Sequence, residues 1–352
     1  MAKEVWVNAR FLTQQKSGVQ QFAIELCREV IKINSNIKFI APKNILHETI
    51  SNELNVHTCG NRTGQLWEQI DLPKFLKKNQ SPLLINLCNS APINYHNSII
   101  TIHDLSFIEN PKWFSFRYRT WYKFMIPQIS KTAKHIITVS KFSKNELIQK
   151  LTLNKEHITI IYNGLSNDLI QYKKSSSPII SREKIILSVG SINPRKNLVA
   201  LIEAFHILNL KDYELFIVGG YSASFAKQNF NLKSDGIKFL GHVSDEALWD
   251  LYKKAEIFVF PSLYEGFGIP VLEASYFGCP ILVNKLEVFK ELYTTFKINY
   301  TEGERTNDYV KAIQKIKKYS IGEQELSEEN LASYSYSKGA FQLHSLINKL
   351  SK

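Results

Sequence analysis

Short apolar runs alternate with helical patterns along nearly the whole chain, and this alternation limits its fold more than any other feature. In the first half, the runs predict strands at Val5–Asn8, Lys38–Ile40, Leu83–Leu87, Ser98–Ile102, Ile136–Val139 and Ile158–Ile161. In the second half, they predict strands at Ile185–Val189, Glu214–Val218, Ile237–Leu240, Ile257–Phe260 and Pro280–Val283. Strands that are separated by helices usually pair in parallel, with helices on both faces of the sheet. The sequence therefore predicts an α/β fold with doubly wound parallel sheets.

The length and one polar stretch divide the chain into two domains. At 352 residues it is long enough for about two domains, each able to bury its own core. Between residues 165 and 182 the patterns give way to polar residues, and Lys173–Pro178 is the most linker-like stretch. We therefore predict Rossmann-like domains at 1–165 and 180–337, with a last helix at 338–352 that packs back on the first domain. The apolar stripe of that helix consists of Phe341, Leu343, Leu346 and Ile347.

The cysteines and the amino terminus indicate a cytoplasmic chain. Cys27, Cys59, Cys88 and Cys279 show no CxxC spacing, so neither a metal site nor a disulfide framework is indicated. The first residues lead directly into a strand pattern without a cleavable apolar core, and no apolar run reaches about 18 residues. We expect a protein that is neither secreted nor membrane-spanning.

The formal net charge of +12 is concentrated in one segment. Residues 112–155 contain ten Lys or Arg against the single acid Glu146, and the segment opens with seven aromatic residues. This mixture suits an anionic membrane surface, and a core helix with a solvated basic face explains it about equally well. Single-stranded nucleic acid is disfavoured as a partner, because nothing else in the chain resembles a nucleic-acid module. The residues that we assign to a membrane or acceptor surface are Trp113, Arg117, Arg119, Trp121 and Lys123.

Two carboxylates, Glu265 and Glu273, bracket a glycine turn that leads into a helix. Pro270 suits the first helical position, so the turn is Gly266–Gly268 and Glu273 falls within about the first helical turn. Backbone N–H groups and the helix dipole would then face an anion, with a carboxylate on either side for sugar hydroxyls. The alternative is that Glu273 only complements the dipole. The preceding apolar run Ile257–Phe260 favours the first interpretation, because open α/β sheets bind ligands at the carboxyl ends of their strands.

A second cluster repeats this arrangement of strand, glycine, short loop and helix. Gly190 follows a predicted strand, and Asn197 is a plausible N-cap for the helix that comes next. Arg195 and Lys196 would lie just outside the amino end of that helix, where the dipole disfavours cations. Two cations at this position indicate an anion between them, such as a phosphate. The alternative is a solvated pair beside a loop.

Together these segments resemble the retaining GT-B glycosyltransferases. More narrowly, the chain is similar to the bacterial sugar-nucleotide-dependent transferases that include mannosyltransferases of O-antigen and capsule assembly. The resemblance covers nearly the whole chain. The segments that carry it most specifically are Phe260–Ala274, Val189–Asn197, Phe239–Asp245, Ile102–Asp104 and Ile137–Ser143. A fold of two Rossmann-like domains that face each other across a cleft is what the resemblance implies.

The resemblance also implies roles for individual residues. Glu273 would accept hydrogen bonds from the ribose, while Glu265 and the amides of the glycine turn would contact the donor sugar. Arg195 and Lys196 would neutralise the diphosphate, although Ser191 stands where some relatives have an arginine. His103 would lie near the reaction centre, either orienting the sugar or acting as a base. The residues assigned to donor binding are Gly18, Gly190, Ser191, His242, Val243, Gly266, Phe267, Gly268, Ile269 and Glu273.

The expected activity is transfer of a hexose, with mannose from GDP-mannose as the first choice, onto a polyprenyl-linked or other lipid-linked glycan. Glycosyl transfer places negative charge on the departing diphosphate, and fixed cations stabilise it. The sequence contains no Asp-X-Asp motif for a divalent metal, so we expect neither a metal nor another cofactor. We expect the enzyme on the inner face of the cytoplasmic membrane. The rivals are a sugar-nucleotide epimerase or hydrolase and a non-catalytic sugar-nucleotide sensor; no Gly-X-Gly-X-X-Gly turn supports an NAD enzyme.

Overall fold

A computed structural model describes residues 4–179, 181–226, 235–316 and 332–350. The chain divides into two compact units. The first unit contains Met1–Leu105, Thr120–Gly164 and Tyr334–Lys352, and the second contains Ser106–Arg119 and Leu165–Ser333. This division differs from the predicted domain boundaries chiefly in the segment Ser106–Arg119, which packs with the second unit.

A seven-stranded parallel sheet forms the centre of the first unit. Its strands are β1 (Val5–Asn8), β2 (Ile37–Ala41), β3 (His57–Thr58), β4 (Leu83–Asn86), β5 (Ser98–Thr101), β6 (His135–Thr138) and β7 (Ile158–Ile160). They lie in the order β3-β2-β1-β4-β5-β6-β7, and the strand order reverses between β1 and β4. Every residue of β1, β4, β5 and β6 is buried, which explains why these strands are visible in the sequence as continuous apolar runs.

A six-stranded parallel sheet forms the centre of the second unit. Its strands are β8 (Glu183–Val189), β9 (Glu214–Val218), β10 (Ile237–Gly241), β11 (Ala255–Phe260), β12 (Ile281–Val283) and β13 (Ile298–Tyr300). The order is β10-β9-β8-β11-β12-β13, so the reversal here falls between β8 and β11. The predicted α/β fold with two parallel sheets is confirmed.

Helices connect the strands of both sheets. Those of the chain as far as residue 151 are α1 (Gly18–Ile33), α2 (Glu48–Glu53), α3 (Gly64–Leu66), α4 (Leu72–Lys78), α5 (Ser106–Glu109), α6 (Phe116–Thr132) and α7 (Lys141–Leu151). A π-helical segment, Trp67–Asp71, joins α3 to α4. The remaining helices are α8 (Asn167–Ser175), α9 (Leu198–Leu208), α10 (Asp245–Lys254), α11 (Ile269–Tyr276), α12 (Glu287–Leu292), α13 (Thr306–Ile316) and α14 (Tyr336–Leu350). None of the described helices is long and apolar enough to cross a membrane.

Each predicted strand is present, whereas three details of the sequence interpretation are wrong. The short strands β3 and β13 were not predicted, since β3 is exposed and β13 is only half-buried. The polar stretch at 165–182 contains the helix α8, which begins at a Ser166 cap and buries only Leu169. In α14, which packs against α1, Phe341 is 61% exposed and does not belong to the buried stripe.

The segment Ser106–Arg119 is fastened to the second unit through a short stretch beyond β9. Ser115 N–H donates to the Ser224 carbonyl at 3.0 Å, and Ala226 N–H donates to the Trp113 carbonyl at 2.9 Å. The rings of Phe114 and Phe225 lie 5.1 Å apart between their centroids. These paired backbone and ring contacts explain why the segment belongs to this unit.

One arginine ties together the carboxyl ends of two helices in the second unit. Arg182 Nη1 donates to the carbonyls of Tyr252 and Lys253 in the last turn of α10 and, at 3.1 Å, to that of Ala255. Its Nη2 donates to the carbonyl of Phe277, which follows α11, at 2.8 Å. A positive group at helix carboxyl ends complements both the unpaired carbonyls and the helix dipole.

Candidate functional site

Two loops of the second unit meet at the carboxyl ends of β8 and β11. These strands are neighbours, and the strand order reverses between them. Doubly wound sheets bind ligands at this crevice, because the loops on its two sides diverge there. The chemistry of the two loops therefore decides what the second unit can bind.

The loop after β8 carries Arg195 and Lys196 in a 3-10 turn, Pro194–Lys196. The Asn193 side chain shapes the turn. Its Oδ1 accepts from Arg195 N–H at 3.0 Å, and its Nδ2 donates to the Ser191 carbonyl at 2.9 Å. The two cations are thus set by local hydrogen bonds that a short polar loop can supply.

Gly190 and Asn197 flank this turn, and each has a positive φ angle. A Cβ on Gly190, whose φ is +154°, would lie 2.9 Å from Cε of Lys196, so a larger residue would displace the lysine. Asn197, with φ +50°, occupies the N-cap position of α9 as predicted. Its side chain does not cap the helix but donates to the Glu304 carbonyl and the Tyr309 hydroxyl. Arg195 and Lys196 therefore lie just before the amino end of α9, in agreement with the sequence interpretation.

The loop after β11 carries Glu265 and is bound to the first loop. Leu263 N–H donates to the Arg195 carbonyl at 2.8 Å. Arg195 Nη1 in turn donates to the Tyr264 carbonyl at 2.7 Å. These two bonds hold Glu265 beside the cations of the neighbouring loop.

Glu265 lies between Arg195 and Lys196. Its Oε1 is 2.5 Å from Lys196 Nζ and 2.8 Å from Arg195 Nη1, and Lys196 Nζ also lies 4.2 Å from the centroid of the Phe260 ring. Glu265 is 8% exposed and Lys196 is 7% exposed. Burial raises the pKa of Glu265, but the charges of Arg195 and Lys196 outweigh it and lower this pKa to about 2. The carboxylate therefore stays ionised at neutral pH.

This geometry changes how the two cations are understood. The sequence predicted an anion between Arg195 and Lys196, and the protein supplies one itself in Glu265. Two cations and one carboxylate leave a net charge of about one positive unit, so the binding of a phosphate beside them stays a prediction. Direct contact of Glu265 with a donor sugar stays a prediction.

The glycine turn and α11 follow Glu265. Gly268 has φ +94° at the N-cap position, and a Cβ there would lie 2.7 Å from Cε1 of Phe289. The Tyr293 hydroxyl donates to the Gly268 carbonyl at 2.9 Å. Because the left-handed glycine allows the helix to begin at once, α11 starts at Ile269, and Pro270 is its second residue instead of its first.

Glu273 is the fifth residue of α11, at the end of the first helical turn, close to where the sequence placed it. It is 5% exposed and accepts a hydrogen bond from the Tyr252 hydroxyl at 3.1 Å. Burial raises the pKa of Tyr252, and the charge of Glu273 raises it further, so the hydroxyl keeps its proton. No sequence pattern pointed to Tyr252, which lies on α10, a helix with an ordinary amphipathic pattern. The contact of Glu273 with a ribose stays a prediction.

The other predicted donor-binding residues of the second unit lie in the same loops or at the same sheet edge. Gly266 and Phe267 are buried in the turn before α11, and Ser191 is half-buried after β8. His242 and Val243 follow β10, two strands from β8. A Cβ on Gly220, after β9, would lie 2.7 Å from His242 Nε2, so the exposed imidazole rests on that glycine.

Gly18 and His103 belong to the first unit. Gly18 is exposed and is the first residue of α1. His103 is 6% exposed, its Nε2 lies 2.9 Å from the Leu87 carbonyl, and its ring packs edge-on against Phe22 of α1. Burial lowers the pKa of His103, so the ring is neutral at pH 7 with its Nε2 proton donated to Leu87. Only Nδ1 could then accept a proton from a substrate.

The structure corrects part of the predicted membrane surface. Trp113 is only 8% exposed and faces Tyr264, so its ring is not placed to enter a lipid surface, whereas Trp121 is half-buried. The exposed aromatic rings of α6 are Phe116 at 70% and Phe124 at 56%. The predicted cations Arg117 and Lys123 are exposed, and Arg119 lies 5.4 Å from the centroid of Phe116.

Metal-ligating residues do not cluster in the described parts of the chain. Within residues 4–179, 181–226, 235–316 and 332–350, no three His, Cys, Asp or Glu side chains come close enough to hold an ion. The four cysteines are free.

Comparisons with known proteins extend this description. The O-antigen chain mannosyltransferase RfbU of Salmonella typhimurium is 32% identical over 246 residues, which are 68% of this chain and 66% of that protein. The O-antigen chain mannosyltransferase B of Escherichia coli is 29% identical over 215 residues, 57% of this chain and 56% of that protein. The chain therefore covers less than two thirds of the length of each relative.

Solved structures share the fold. A glycosyltransferase from Rickettsia africae matches with a TM-score of 0.67 at 14% identity over the full length of both chains. Anabaena Alr3699/HepE, solved in complex with UDP and glucose, matches with a TM-score of 0.64 at 16% identity, over 99% of this chain and 97% of that one.

Two family models match the chain, and they meet within α8, close to the boundary at Leu165 between the two units. The model described as Glycosyltransferase Family 4 matches residues 17–169, and the model described as Glycosyl transferases group 1 matches residues 170–335, the part that holds the Arg195, Lys196 and Glu265 cluster. The chain belongs to the group 1 glycosyltransferases.

Proposed function

We propose that the protein is a retaining, metal-independent glycosyltransferase that moves a hexose from a nucleoside diphosphate donor to a lipid-linked glycan. The observation that carries the proposal is the buried cluster of Arg195, Lys196 and Glu265 at the strand-order reversal of the second sheet. Mannose from GDP-mannose is the first choice of donor, since relatives are named as O-antigen mannosyltransferases. UDP-glucose is the second choice, since a protein of the same fold was solved with UDP and glucose.

The chemistry of the cluster suits departure of a diphosphate. As the bond to the anomeric carbon breaks, negative charge develops on the leaving phosphate, and Arg195 and Lys196 are fixed cations that stabilise it. Glu265 keeps the two cations together before a ligand arrives, which removes part of the cost of organising them. In a front-face mechanism, an oxygen of the departing phosphate accepts the proton of the attacking hydroxyl. The neutral His103 would orient the sugar.

Release of nucleoside diphosphate tests this proposal. The purified protein is incubated with GDP-mannose, UDP-glucose, UDP-galactose and UDP-N-acetylglucosamine, with and without a synthetic polyprenyl diphosphate-linked monosaccharide. We expect one donor to be consumed much faster with the acceptor, at an undiminished rate in excess EDTA, and with retained configuration in the product by NMR. Donor consumption that does not need the acceptor would favour an epimerase or hydrolase. Tight donor binding without turnover would favour a sensor, and loss of activity in EDTA would refute metal independence.

We also propose that α6 places the enzyme on the anionic inner face of the cytoplasmic membrane. Exposed rings and cations alternate on this helix, with Phe116 and Phe124 beside Arg117 and Lys123. Aromatic rings settle at the depth of lipid headgroups, and each nearby cation contributes about 1 kcal/mol on an anionic surface. No nucleic acid partner is proposed.

Charge reversal at Arg117, Arg119 and Lys123 should weaken binding to phosphatidylglycerol vesicles by about 100-fold or more at low salt, because three favourable terms become repulsive. Replacing Phe116 and Phe124 by Ser should weaken binding also at high salt, where screening removes the charge contribution. The matched control replaces exposed Phe341 of α14 by Ser and exposed Lys32 of α1 by Glu. Vesicle sedimentation measures the bound fraction. Equal binding of all variants would refute the surface.

A further inference from the structure

The first sheet has a polar recess at its own strand-order reversal, and the function proposed above assigns no ligand to it. Asn8 ends β1 and Asn86 ends β4, the two strands between which the order reverses, and Asn8 Nδ2 donates to Asn86 Oδ1 at 3.0 Å. The recess has room for a water-sized group. The lining residues that matter below are Asn8, Arg10, Glu68, Leu87 and Ser90.

A buried carboxylate organises this recess. Glu68, on the π-helical segment, is 1% exposed, and its Oε1 accepts three hydrogen bonds: from Asn8 Nδ2 at 2.7 Å, Ser90 Oγ at 3.0 Å and Arg10 Nε at 3.1 Å. Arg10, which is 7% exposed, also donates from Nη2 to Ser90 Oγ at 2.7 Å. One oxygen of the carboxylate thus binds side chains at and just beyond the carboxyl ends of β1 and β4.

The other carboxylate oxygen of Glu68, Oε2, accepts none of these hydrogen bonds. Oε2 is buried and has no hydrogen-bond partner among the residues that the structure describes. An ionised carboxylate can accept about four hydrogen bonds, and a buried oxygen without any is costly. A group that donates a hydrogen bond within the recess would remove this cost.

Charge and size decide which group fits. Arg10 and Glu68 cancel, so the recess lacks the excess positive charge that a phosphate needs. A hydroxyl is neutral, is about as large as a water molecule, and both donates and accepts. The Leu87 carbonyl, whose residue lines the recess, also holds His103 Nε2, so this wall positions the histidine that we assign to sugar orientation.

We propose that this recess binds one hydroxyl of a substrate sugar, which donates to Glu68 and accepts from Arg10. Glu68, Arg10 and Ser90 are then residues that select the sugar. The inference rests on the proposed glycosyl transfer, because that function supplies the sugar substrate. Sugar binding to the recess can nevertheless be measured without turnover. The hydroxyl can belong to the acceptor glycan or to the donor hexose, and the experiment separates the two sources.

The test compares Glu68→Gln and Ser90→Ala with the matched control Asp71→Asn in the full chain. Asp71 lies on the same π-helical segment, is also buried and pairs with Arg62, but does not line the recess. Circular dichroism checks that each variant is folded. Binding is followed by the rise in Tm with methyl α-mannoside, methyl α-glucoside and methyl α-galactoside, and separately with GDP-mannose and UDP-glucose.

We expect at least one ligand to stabilise the wild type and the Asp71→Asn variant alike, with an affinity about 10- to 100-fold lower for Glu68→Gln and a smaller loss for Ser90→Ala. Loss confined to a methyl glycoside identifies the acceptor as the source, and loss confined to a nucleotide sugar identifies the donor hexose. The deoxy analogue that lacks the bound hydroxyl should bind wild type and Glu68→Gln equally. Equal affinities of Glu68→Gln and Asp71→Asn for every ligand, or no stabilisation by any ligand, would overturn the inference. Failure of the proposed glycosyl transfer appears separately, as absence of nucleoside diphosphate release.

Discussion

Lys196→Ala is expected to lower kcat by about 100-fold or more, because it removes one of the two fixed cations that we propose to stabilise the departing diphosphate. The lysine is buried against Glu265 and the Phe260 ring, so water does not replace its charge easily. The rate of nucleoside diphosphate release at saturating donor measures the effect. Lys254→Ala is the matched control, since this lysine lies in the same unit, is 54% exposed, and pairs with Glu183 only at 3.7 Å; its rate should stay close to that of the wild type.

Glu265→Ala should lower kcat by a similar factor, but for a different reason. The substitution takes away the carboxylate that holds Arg195 and Lys196 at 2.8 and 2.5 Å, and two buried cations without it repel each other. The variant should therefore lose donor affinity as well as kcat, whereas Lys196→Ala mainly loses kcat. Tm values of both variants distinguish this effect from unfolding. Rates near the wild-type value in both would refute the assigned roles.

Arg182→Ala should lower the free energy of unfolding by about 3 kcal/mol, the second large effect that we expect. Its guanidinium bonds four carbonyls, three at the end of α10 and one after α11, and hydrogen bonds to a charged group contribute more than neutral ones. Removal leaves the carbonyls of two helix ends without this partner. Urea unfolding followed by circular dichroism measures the change.

Two further variants show whether the geometry of the guanidinium matters. Arg182→Lys keeps the charge but cannot reach the two helix ends together, so it should recover less than half of the loss. Lys184→Ala, two residues further along the chain in β8, removes an exposed pair with Asp212 and should cost less than about 1 kcal/mol. An Arg182→Ala variant as stable as Lys184→Ala would contradict the role of the arginine as a link between helices.

The sheets could be predicted from sequence because fully buried parallel strands leave continuous apolar runs, as in Ile257–Phe260. The same logic placed the loops that carry Arg195, Lys196 and Glu265 at strand ends. It could not place Glu265 between the two cations, because that contact depends on β8 and β11 being neighbours. Strand order is a property of the whole sheet and leaves no local mark.

Other features escaped sequence reasoning because they join distant residues. Tyr252 reaches Glu273, and Arg182 reaches Phe277, across separations that no periodicity reports. The prediction of a membrane surface in the aromatic segment, residues 113–124, was partly wrong for a different reason. A mixture of rings and cations indicates a surface, but only packing decides that Trp113 turns inward while Phe116 remains in water.

The pairing of Trp113–Ser115 with Ser224–Ala226 limits how this protein can be divided in the laboratory. Cutting at Leu165 to obtain the carboxyl-terminal half would leave behind the stretch that covers Phe225 and Tyr264. Exposure of these aromatic rings to water would favour aggregation of the fragment. A carboxyl-terminal fragment that stays monomeric should therefore require residues 106–119, either fused to it or added as a separate peptide.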